Sequence, residues 1–410
     1  MLSRKKDKII NDPIYGFVQI EKGIFFDLIE HPFFQRLRRI SQLGLSYLVY
    51  PGAYHTRFHH AIGCFFLMNK AIDQIRKKGH EITAKEAEAV CIAILLHDIG
   101  HGPFSHTLEK SIVKYINHEM LSLLFMEELN REFKGKLSLA IQIFKDKYKK
   151  RFLHQLVSSQ LDMDRLDYLK RDSFYSGVQE GVIGTERIIN MLNVVDDNLV
   201  IEEKGIYSIE KFLIARRLMY WQVYLHKTVL SAENTLIKTL KRAKELIKER
   251  KDVFTTPPLL FFLKNNFTKK DFENNKHLLQ QFAKLDDHDI YTCLKQWMNH
   301  EDIVLSKLSN MIINRRLLKV KIQRNPFSQK EIMDKKTAVM KKLNLRKNLT
   351  DYFVFSGKIS NKTYSYEKAK INILLKDGGI KELKDASDQT LNQMLSKRVN
   401  KFSLCYLNIK

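Results

Sequence analysis

The segment Val90-Cys91-Ile92-Ala93-Ile94-Leu95-Leu96 runs directly into His97-Asp98 and then into Ile99-Gly100-His101-Gly102-Pro103. An uninterrupted apolar run of this kind demands burial. Thr83, followed three residues later by Glu86, has the pattern of a capped helix start. A buried helix is therefore expected from Thr83 to near Gly100, delivering an imidazole and a carboxylate side by side at its C-terminal end. Gly100, Gly102 and Pro103 then force a loop that carries His101 and His106. A helix apolar on all faces needs neighbours on all sides, so the chain has to build a helical body around it.

Apolar spacing elsewhere supports that body. Short helix is expected from Phe25 to Glu30 and a longer one from Pro32 to Leu43, where Phe33, Leu37 and Ile40 recur at helical intervals. After the break at Pro51-Gly52, helix is expected over Phe58–Lys78, His118–Asn130, Phe152–Lys170, Ile209–Glu249 and Leu278–Leu318, with a small hairpin or irregular excursion at Asn198–Ser208. From about Asn325 the character changes. Tyr352–Phe355, Lys370–Leu375 and Phe402–Ile409 are strand-like, and Asp377-Gly378-Gly379 is a turn. The expected architecture is mainly α, a helical bundle over residues 1–325 whose metal-binding core lies at about 51–175, with a smaller α+β appendage over 326–410.

At 410 residues and 44% hydrophobic content, the chain can bury a large core. Lysine and arginine number 70 against 46 acids, a formal charge of +24, which attracts polyanions such as nucleotides, nucleic acids or anionic lipid but equally suits a solvated cationic face. The basic stretch Arg315–Lys347 carries the same two readings, and weak nucleic-acid binding at most is expected. Cys64, Cys91, Cys293 and Cys405 have no CxxC spacing and fit a reducing, cytoplasmic setting. The charged residues Met1 to Lys8 make no signal core, and no apolar run is long enough to span a membrane.

Two further residues, His60 in Arg57-Phe58-His59-His60 and Asp164 in Asp162-Met163-Asp164-Arg165, complete a candidate ligand set with His97 and Asp98. Two imidazoles and two carboxylates suit iron, manganese, zinc or a related transition ion. Such a set leaves positions open for water and a phosphate oxygen. An isolated His-Asp pair is more simply a hydrogen-bonded helix end. The four residues together with the Gly100–His106 loop favour the metal. His101, His106 and His118 follow closely and can move protons or hold phosphate near neutral pH. Arg57 and Arg165 lie within three residues of a ligand candidate and suit phosphate by their bidentate geometry. His31, His55 and His59 remain without an assigned role.

The segments His31–Ile40, Gln42-Leu43-Gly44, Tyr50–Ala53, Thr56–His60, Leu96–His106 and Asp162–Asp172 together resemble the deoxynucleoside triphosphate triphosphohydrolases of the HD-domain superfamily. The resemblance covers about residues 8–320, and a compact bacterial-type form is expected. It implies hydrolysis of a dNTP to deoxynucleoside and inorganic triphosphate, with a transition metal (Mn, Fe, Zn or Ni) on His60, His97, Asp98 and Asp164 and Mg accompanying the substrate phosphates. It also implies that His106 contacts the α-phosphate, that His101 and His118 position water or move protons, and that Arg57 and Arg165 hold phosphates. Gln42, Leu43, Tyr168 and Asp172 would line the sugar pocket, with Arg216 a phosphate contact and Tyr224 a stacking ring. The family further implies a nucleotide effector (GTP or a dNTP) that assembles a dimer or tetramer. Asn11, Glu30, Gln35 and Arg38 match one effector pocket, and Arg187, His226, Lys227, Arg315 and Lys319 match a second more loosely. Glu30 stands where animal members have aspartate, His59 replaces a glutamate, Tyr15 a histidine and Glu109 an aspartate.

Two other classes share these features: an HD-type nucleotide or nucleic-acid phosphodiesterase or phosphatase, and a non-catalytic nucleotide sensor. The Gln42-Leu43 and Asp164–Asp172 segments weigh against the first, and the full histidine set against the second. No GxxxxGK[ST] loop is present, and no Ser-His-Asp arrangement stands in a recognisable context, which removes P-loop and serine-hydrolase readings.

Overall fold

The computed structural model describes residues 7–104, 116–361, 370–387 and 399–409. It is mainly α, and its central helix is the one the apolar run demands. Ala84–Leu96 is α-helical, and every residue from Val90 to Leu96 is buried. Its start is the expected box: Glu86 N donates to Thr83 Oγ1 at 3.2 Å, and Thr83 N donates to the Glu86 carboxylate at 2.8 Å. Burial works against ionising Glu86, but Lys150 and Tyr148 hold its pKa down to about 2. The regular helix stops at Leu96. His97, Asp98 and Ile99 continue in a tight turn, with Ile99 N bonded to Leu96 O and His101 N to Asp98 O, both at 3.1 Å.

The long Arg57–Lys77 helix packs against both the Ala84–Leu96 helix and the Met163–Ser176 helix. Two glycines permit close approach. A Cβ on Gly63 would lie 2.0 Å from Asp167 Oδ1 and 2.3 Å from Arg171 Nη2. On Gly100 it would meet Ser122 N at 2.2 Å and His118 O at 2.3 Å, which is how the His118–Glu132 helix reaches the turn after Asp98.

Several expected helices are interrupted. Pro32 opens only one α turn, Pro32–Gln35, and Arg36–Arg39 is 3-10 helix. Ile40 is already extended, because Arg57 N bonds its carbonyl and Ser41 bridges Thr56. The Phe152–Lys170 stretch divides into Arg151–Val157 and Met163–Ser176. Asp162 breaks it by capping the second helix through a bond from Arg165 N at 2.7 Å. Ile206–Met219 passes into a π-helical turn, Tyr220–Tyr224, before Lys227–Lys248 begins at a His226 cap. The Leu278–Leu318 stretch is three helices, Lys276–Ala283, Asp287–Trp297 and Ile303–Ile313, with Asp286 and Asp302 as caps. The excursion expected at Asn198–Ser208 is a hairpin that starts earlier, Leu192–Val195 against Asn198–Glu202, turned by Asp196 and Asp197 at positive φ.

A three-stranded antiparallel sheet orders Lys319–Gln323, Val399–Tyr406 and Val354–Asn361. Its hydrophobic cluster joins Phe327, Val339, Phe353 and Leu404 to Val304, Leu308 and Met311 of the preceding helix. Strand Asn372–Leu374 instead pairs in parallel with Asn198–Glu202, aligning Ile373 with Ile201 against the main core. All four cysteines are free and buried. Among the described residues, no helix is long and apolar enough to cross a membrane.

Candidate metal centre

Three helical elements converge on one point. His60 projects from the first turn of Arg57–Lys77, His97 and Asp98 from the turn after Leu96, and Asp164 from the first turn of Met163–Ser176. His60 Nε2 lies 3.1 Å from Asp164 Oδ1 and 3.7 Å from Asp98 Oδ2. His97 Nε2 lies 3.4 Å from Asp98 Oδ1 and 3.6 Å from Asp164 Oδ1. His60 is fully buried and His97 and Asp98 are under one-tenth exposed, while the Asp164 side chain is 28% exposed. Burial pushes Asp164 up, but the two imidazoles outweigh it and hold the carboxyl far below its usual range.

The far nitrogen of each imidazole is tied down. His60 Nδ1 meets Asp167 Oδ2 at 2.7 Å, and His97 Nδ1 meets the Ile94 carbonyl at 2.6 Å. A carbonyl can only accept, so His97 donates from Nδ1, which leaves Nε2 as the nitrogen turned toward the carboxylates. Among the described residues, that buried Nε2 finds no hydrogen-bond partner. With both far nitrogens taken up by acceptors, His60 Nε2 and His97 Nε2 are the nitrogens that face the two carboxylates across 3–4 Å, a donor set that fits a divalent cation able to displace their protons, and partners on the far nitrogens are how ligating histidines are oriented. Cys64, one turn after His60, brings its sulfur within 3.5 Å of the His60 ring and belongs to the same cluster.

Behind His60 the contacts continue inward. Asp167 receives Arg171 Nε and Nη2 at 2.9 and 3.0 Å, and Arg171 Nη1 reaches Asp12 Oδ2 at 2.9 Å. All are buried. The sequence reading missed Asp167, Arg171 and Asp12 as parts of the site. The spacing Asp164, Asp167, Arg171, which puts all three on one helix face, was the available signal.

A second group adjoins the first. Arg57 Nη1 bonds Asp98 Oδ2, and His101 Nε2 lies 3.3 Å from Asp98 Oδ1. The His101 ring stacks on His118 at 3.8 Å and 15°. Burial and then Arg57 push the His101 imidazole well below its usual range, despite the pull of Asp98. Parallel stacked rings do not converge their lone pairs on one ion, and Arg57 adds a positive charge. These groups therefore suit an anion such as phosphate better than a second metal. His106 lies outside the described residues.

Several residues expected around the sugar are in contact with one another. Tyr224 OH donates to Asp172 Oδ2 at 2.6 Å, Asp172 Oδ1 meets His55 Nε2 at 2.8 Å, and the Tyr168 ring is 6.2 Å from Tyr224. His55 stacks on Tyr175 and is one of the residues for which sequence gave no role. Gln42 N bonds the His55 carbonyl at 3.0 Å, and the buried Gln42 Oε1 has no partner among the described residues. Leu43 is buried beside it. Arg216, also buried, donates to Gln160 at 3.0 Å, and Arg165 is held by Asp162.

Of the first effector set, Gln35 donates to the Ile29 carbonyl at 2.8 Å and receives Arg38 Nε at 2.9 Å, and Glu30 pairs with Lys8. Asn11 is exposed on the same strand as Lys8. The second set is more dispersed. His226 and Lys227 line a cavity of about 490 Å3 with Trp221, Arg324 and Lys401, whereas Arg187 bonds the Lys204 carbonyl, Arg315 the Leu48 carbonyl, and Lys319 begins an edge strand.

Comparison with known proteins bears on this geometry. The HD domain model matches residues 57–172, and an HD associated region matches 183–255. A crystal structure of a phosphohydrolase from Bacteroides thetaiotaomicron superposes with a TM-score of 0.96 at 55% identity, covering 98% of this chain and 100% of that one. Uncharacterized protein YwfO of Bacillus subtilis is 35% identical over 392 residues, 92% of this chain and 87% of its own length. The deoxynucleoside triphosphate triphosphohydrolase SAMHD1 homolog of Dictyostelium discoideum is 34% identical over 265 residues, 60% of this chain. The match spans about half of that relative's own length, 51%.

Proposed function

Because the chain belongs to the HD-domain phosphohydrolases, we propose that it hydrolyses deoxynucleoside triphosphates to deoxynucleoside and inorganic triphosphate. The observation that carries this reading is the convergence of His60, His97, Asp98 and Asp164 beside the Arg57 guanidinium and near the hydrogen-bonded Tyr224–Asp172–His55 group. A divalent transition ion (Mn, Fe, Zn or Ni) on those four side chains would supply Lewis acidity to a phosphate oxygen and to the attacking water.

The remaining chemistry is done by the protein. Arg57 and Arg165 hold phosphate oxygens, and Mg accompanies the substrate's phosphates. Both arginines are already oriented by acids, so little freedom is lost when substrate arrives. His101, kept neutral by burial, can accept a proton. His118 stacks on it and keeps its ring edge toward Asp98. His106 serves the α-phosphate. Tyr224 and His55 fix the Asp172 carboxylate, which accepts the sugar's 3′-hydroxyl, while Tyr168, Gln42 and Leu43 wall the pocket and Arg216 adds a phosphate contact. A triphosphate leaving group is strongly anionic, and fixed cations in a dry site stabilise charge as it develops.

We further assign a nucleotide effector, GTP or a dNTP, to the edge formed by Asn11, Glu30, Gln35 and Arg38, and an assembly of two or four subunits. Arg187, His226, Lys227, Arg315 and Lys319 are candidates for a second effector contact. The free cysteines accord with a cytoplasmic setting.

The test is product analysis. Purified protein with manganese is incubated with each dNTP, alone and with GTP, and the products are separated. Triphosphate and deoxynucleoside are expected from at least one dNTP. Inorganic phosphate, pyrophosphate or oligonucleotide cleavage instead would assign another HD-type phosphohydrolase activity, and binding without turnover would assign a sensor. Asp98→Ala should lose metal and turnover together.

A further inference from the structure

The helix Asp287–Trp297 is capped by Asp286, so its first residue, Asp287, is free to serve other segments. Its carboxylate reaches two of them. Oδ2 accepts from Ser41 N at 2.8 Å, and Oδ1 accepts from Phe104 N at 3.2 Å. The donors are 246 and 183 residues away along the chain. Ser41 immediately precedes Gln42 and Leu43. Phe104 closes the turn that begins at Asp98 and carries His101. One buried carboxylate therefore spans the segment expected to wall the sugar and the turn that flanks the metal ligands.

Both segments are unusual where they meet it. Gly44 and Phe104 have positive φ, 52° and 47°, and a Cβ on Gly44 would lie 3.9 Å from Phe104 Cδ1, so the two turns touch. A phenylalanine in the left-handed region persists only where its surroundings dictate it. Here the Phe104 ring packs edge-on against Tyr291, one helical turn beyond Asp287, at 5.5 Å and 76°. The other end of the same turn is held by Arg36, which donates to the Ile99 carbonyl at 2.6 Å and the His101 carbonyl at 2.8 Å. A buried cation thus fixes the turn by its carbonyls and a buried carboxylate fixes it by an amide.

The carboxylate weakens the native state when it is ionised. Burial raises it to about 6 despite the two amides, and Asp286 beside it, itself paired with Arg39, adds to the rise. Arg36 also feels its charge, and the Tyr47 and Tyr291 phenols, bonded to each other at 2.6 Å, face it from the remaining side. An acid raised on folding favours the native state only where it is protonated. Stability therefore does not account for a carboxylate here at neutral pH. What it supplies is two accepting oxygens at a fixed spacing.

We propose that Asp287 is a positioning residue that sets the turn bearing His101 against the Gln42-Leu43 segment, so that a substrate whose sugar is held by one is presented to the groups carried by the other. The inference rests on the proposed dNTP hydrolysis. Asparagine has one accepting oxygen, and its NH2 would face the second N–H donor. The Ser41 bond is the shorter of the two, so asparagine keeps Ser41 and releases Phe104. The sugar wall then stays in place while the His101 turn loosens.

The test compares wild type with Asp287→Asn in bound manganese, in thermal unfolding, and in kcat and KM for a hydrolysed dNTP from pH 5.5 to 8. Asp287→Asn should keep its manganese, unfold within about 4 °C of wild type at neutral pH, and hold KM within about threefold. Its kcat should fall about 10- to 100-fold at pH 7.5, the size of effect that misplacing a reacting group produces. The ratio of wild-type to variant kcat should shrink as pH falls below about 6, because a protonated Asp287 has likewise given up one accepting oxygen. A variant kcat within threefold of wild type at pH 7.5, or a ratio that does not change with pH, overturns the proposal. If Asp287→Asn does not fold, Phe104→Gly suits the positive φ but removes the packing on Tyr291. It should lower kcat with KM little changed, and an unaltered kcat there overturns the proposal as well. Wild-type protein that hydrolyses no dNTP under any condition refutes the activity and the positioning role with it, whereas hydrolysis by an unimpaired Asp287→Asn refutes the positioning role alone.

Discussion

Asp167→Asn removes one charge from behind His60 and keeps the side chain's shape. Asp167 accepts from His60 Nδ1 at 2.7 Å and from Arg171 at 2.9 and 3.0 Å, all in a region without solvent. The guanidinium would lose its bidentate carboxylate but keep Asp12 at 2.9 Å. The stability loss should therefore be about 2–4 kcal/mol, at or below the cost of a buried pair broken outright. The effect on metal is separate. An amide can present its NH2 to Nδ1, which places the imidazole proton on Nε2, the nitrogen that faces Asp98 and Asp164. Loss of the orienting carboxylate should lower metal affinity about 10- to 100-fold, or about 1.4–2.7 kcal/mol. Manganese affinity measured by chelator competition reads this directly. Thermal unfolding with and without manganese reads it again, because stabilisation by a ligand scales with the logarithm of its concentration over Kd. An Asp167→Asn protein with wild-type manganese affinity and the wild-type thermal response would show that His60 is not a ligand oriented from behind.

Gly63→Ala should be disproportionately harmful for so small a change: its methyl would sit 2.0 Å from Asp167 Oδ1, costing about 1–3 kcal/mol in urea unfolding and weakening manganese binding with it. Asp287 receives Ser41 N and Phe104 N, yet burial raises its carboxyl to about 6. An acid raised on folding favours the native state where it is protonated, so its contribution is full below about pH 4 and is lost as pH rises through about 6. Asp287→Asn should remove roughly 3 kcal/mol of that pH dependence, seen in unfolding curves recorded from pH 4 to 7. Thr83→Ala should cost about 1 kcal/mol in thermal unfolding and leave manganese affinity unchanged, since only the start of the helix is affected.

Local rules served best where one segment decides its own structure. The Thr83–Glu86 box, the apolar run to Leu96 and the glycine-rich turn after Asp98 are all determined within a few residues of one another, and the structure follows them closely. Helix continuity served less well. Pro32–Leu43 and Phe152–Lys170 have helical spacing throughout, but Ile40 is taken by a backbone bond from Arg57, and Asp162 caps a new helix in the middle of the second stretch. The π turn at Tyr220–Tyr224 likewise has no local marker, and Tyr50 bonds the Gln222 carbonyl within it. Among the site residues, the four metal-ligand candidates stood out as a set with the Gly100–His106 loop, since His-Asp at the end of a buried helix is by itself more simply a hydrogen-bonded helix end. Arg36, Asp167, Arg171 and His55 did not, because their partners lie 63 to 159 residues away or were indistinguishable from ordinary helix-surface charges.

The amino-acid order alone determined that a buried helix would present a histidine and an aspartate to chemistry, and which two distant side chains would join them. Only the folded chain decided which nitrogen of each imidazole faces inward and which group fixes it there, the Asp167 carboxylate for His60 and the Ile94 carbonyl for His97. Those outcomes depend on helices approaching across Gly63 and Gly100 to distances that any side chain would prevent. Short-range preferences are written residue by residue, whereas such contacts exist only once remote segments pack.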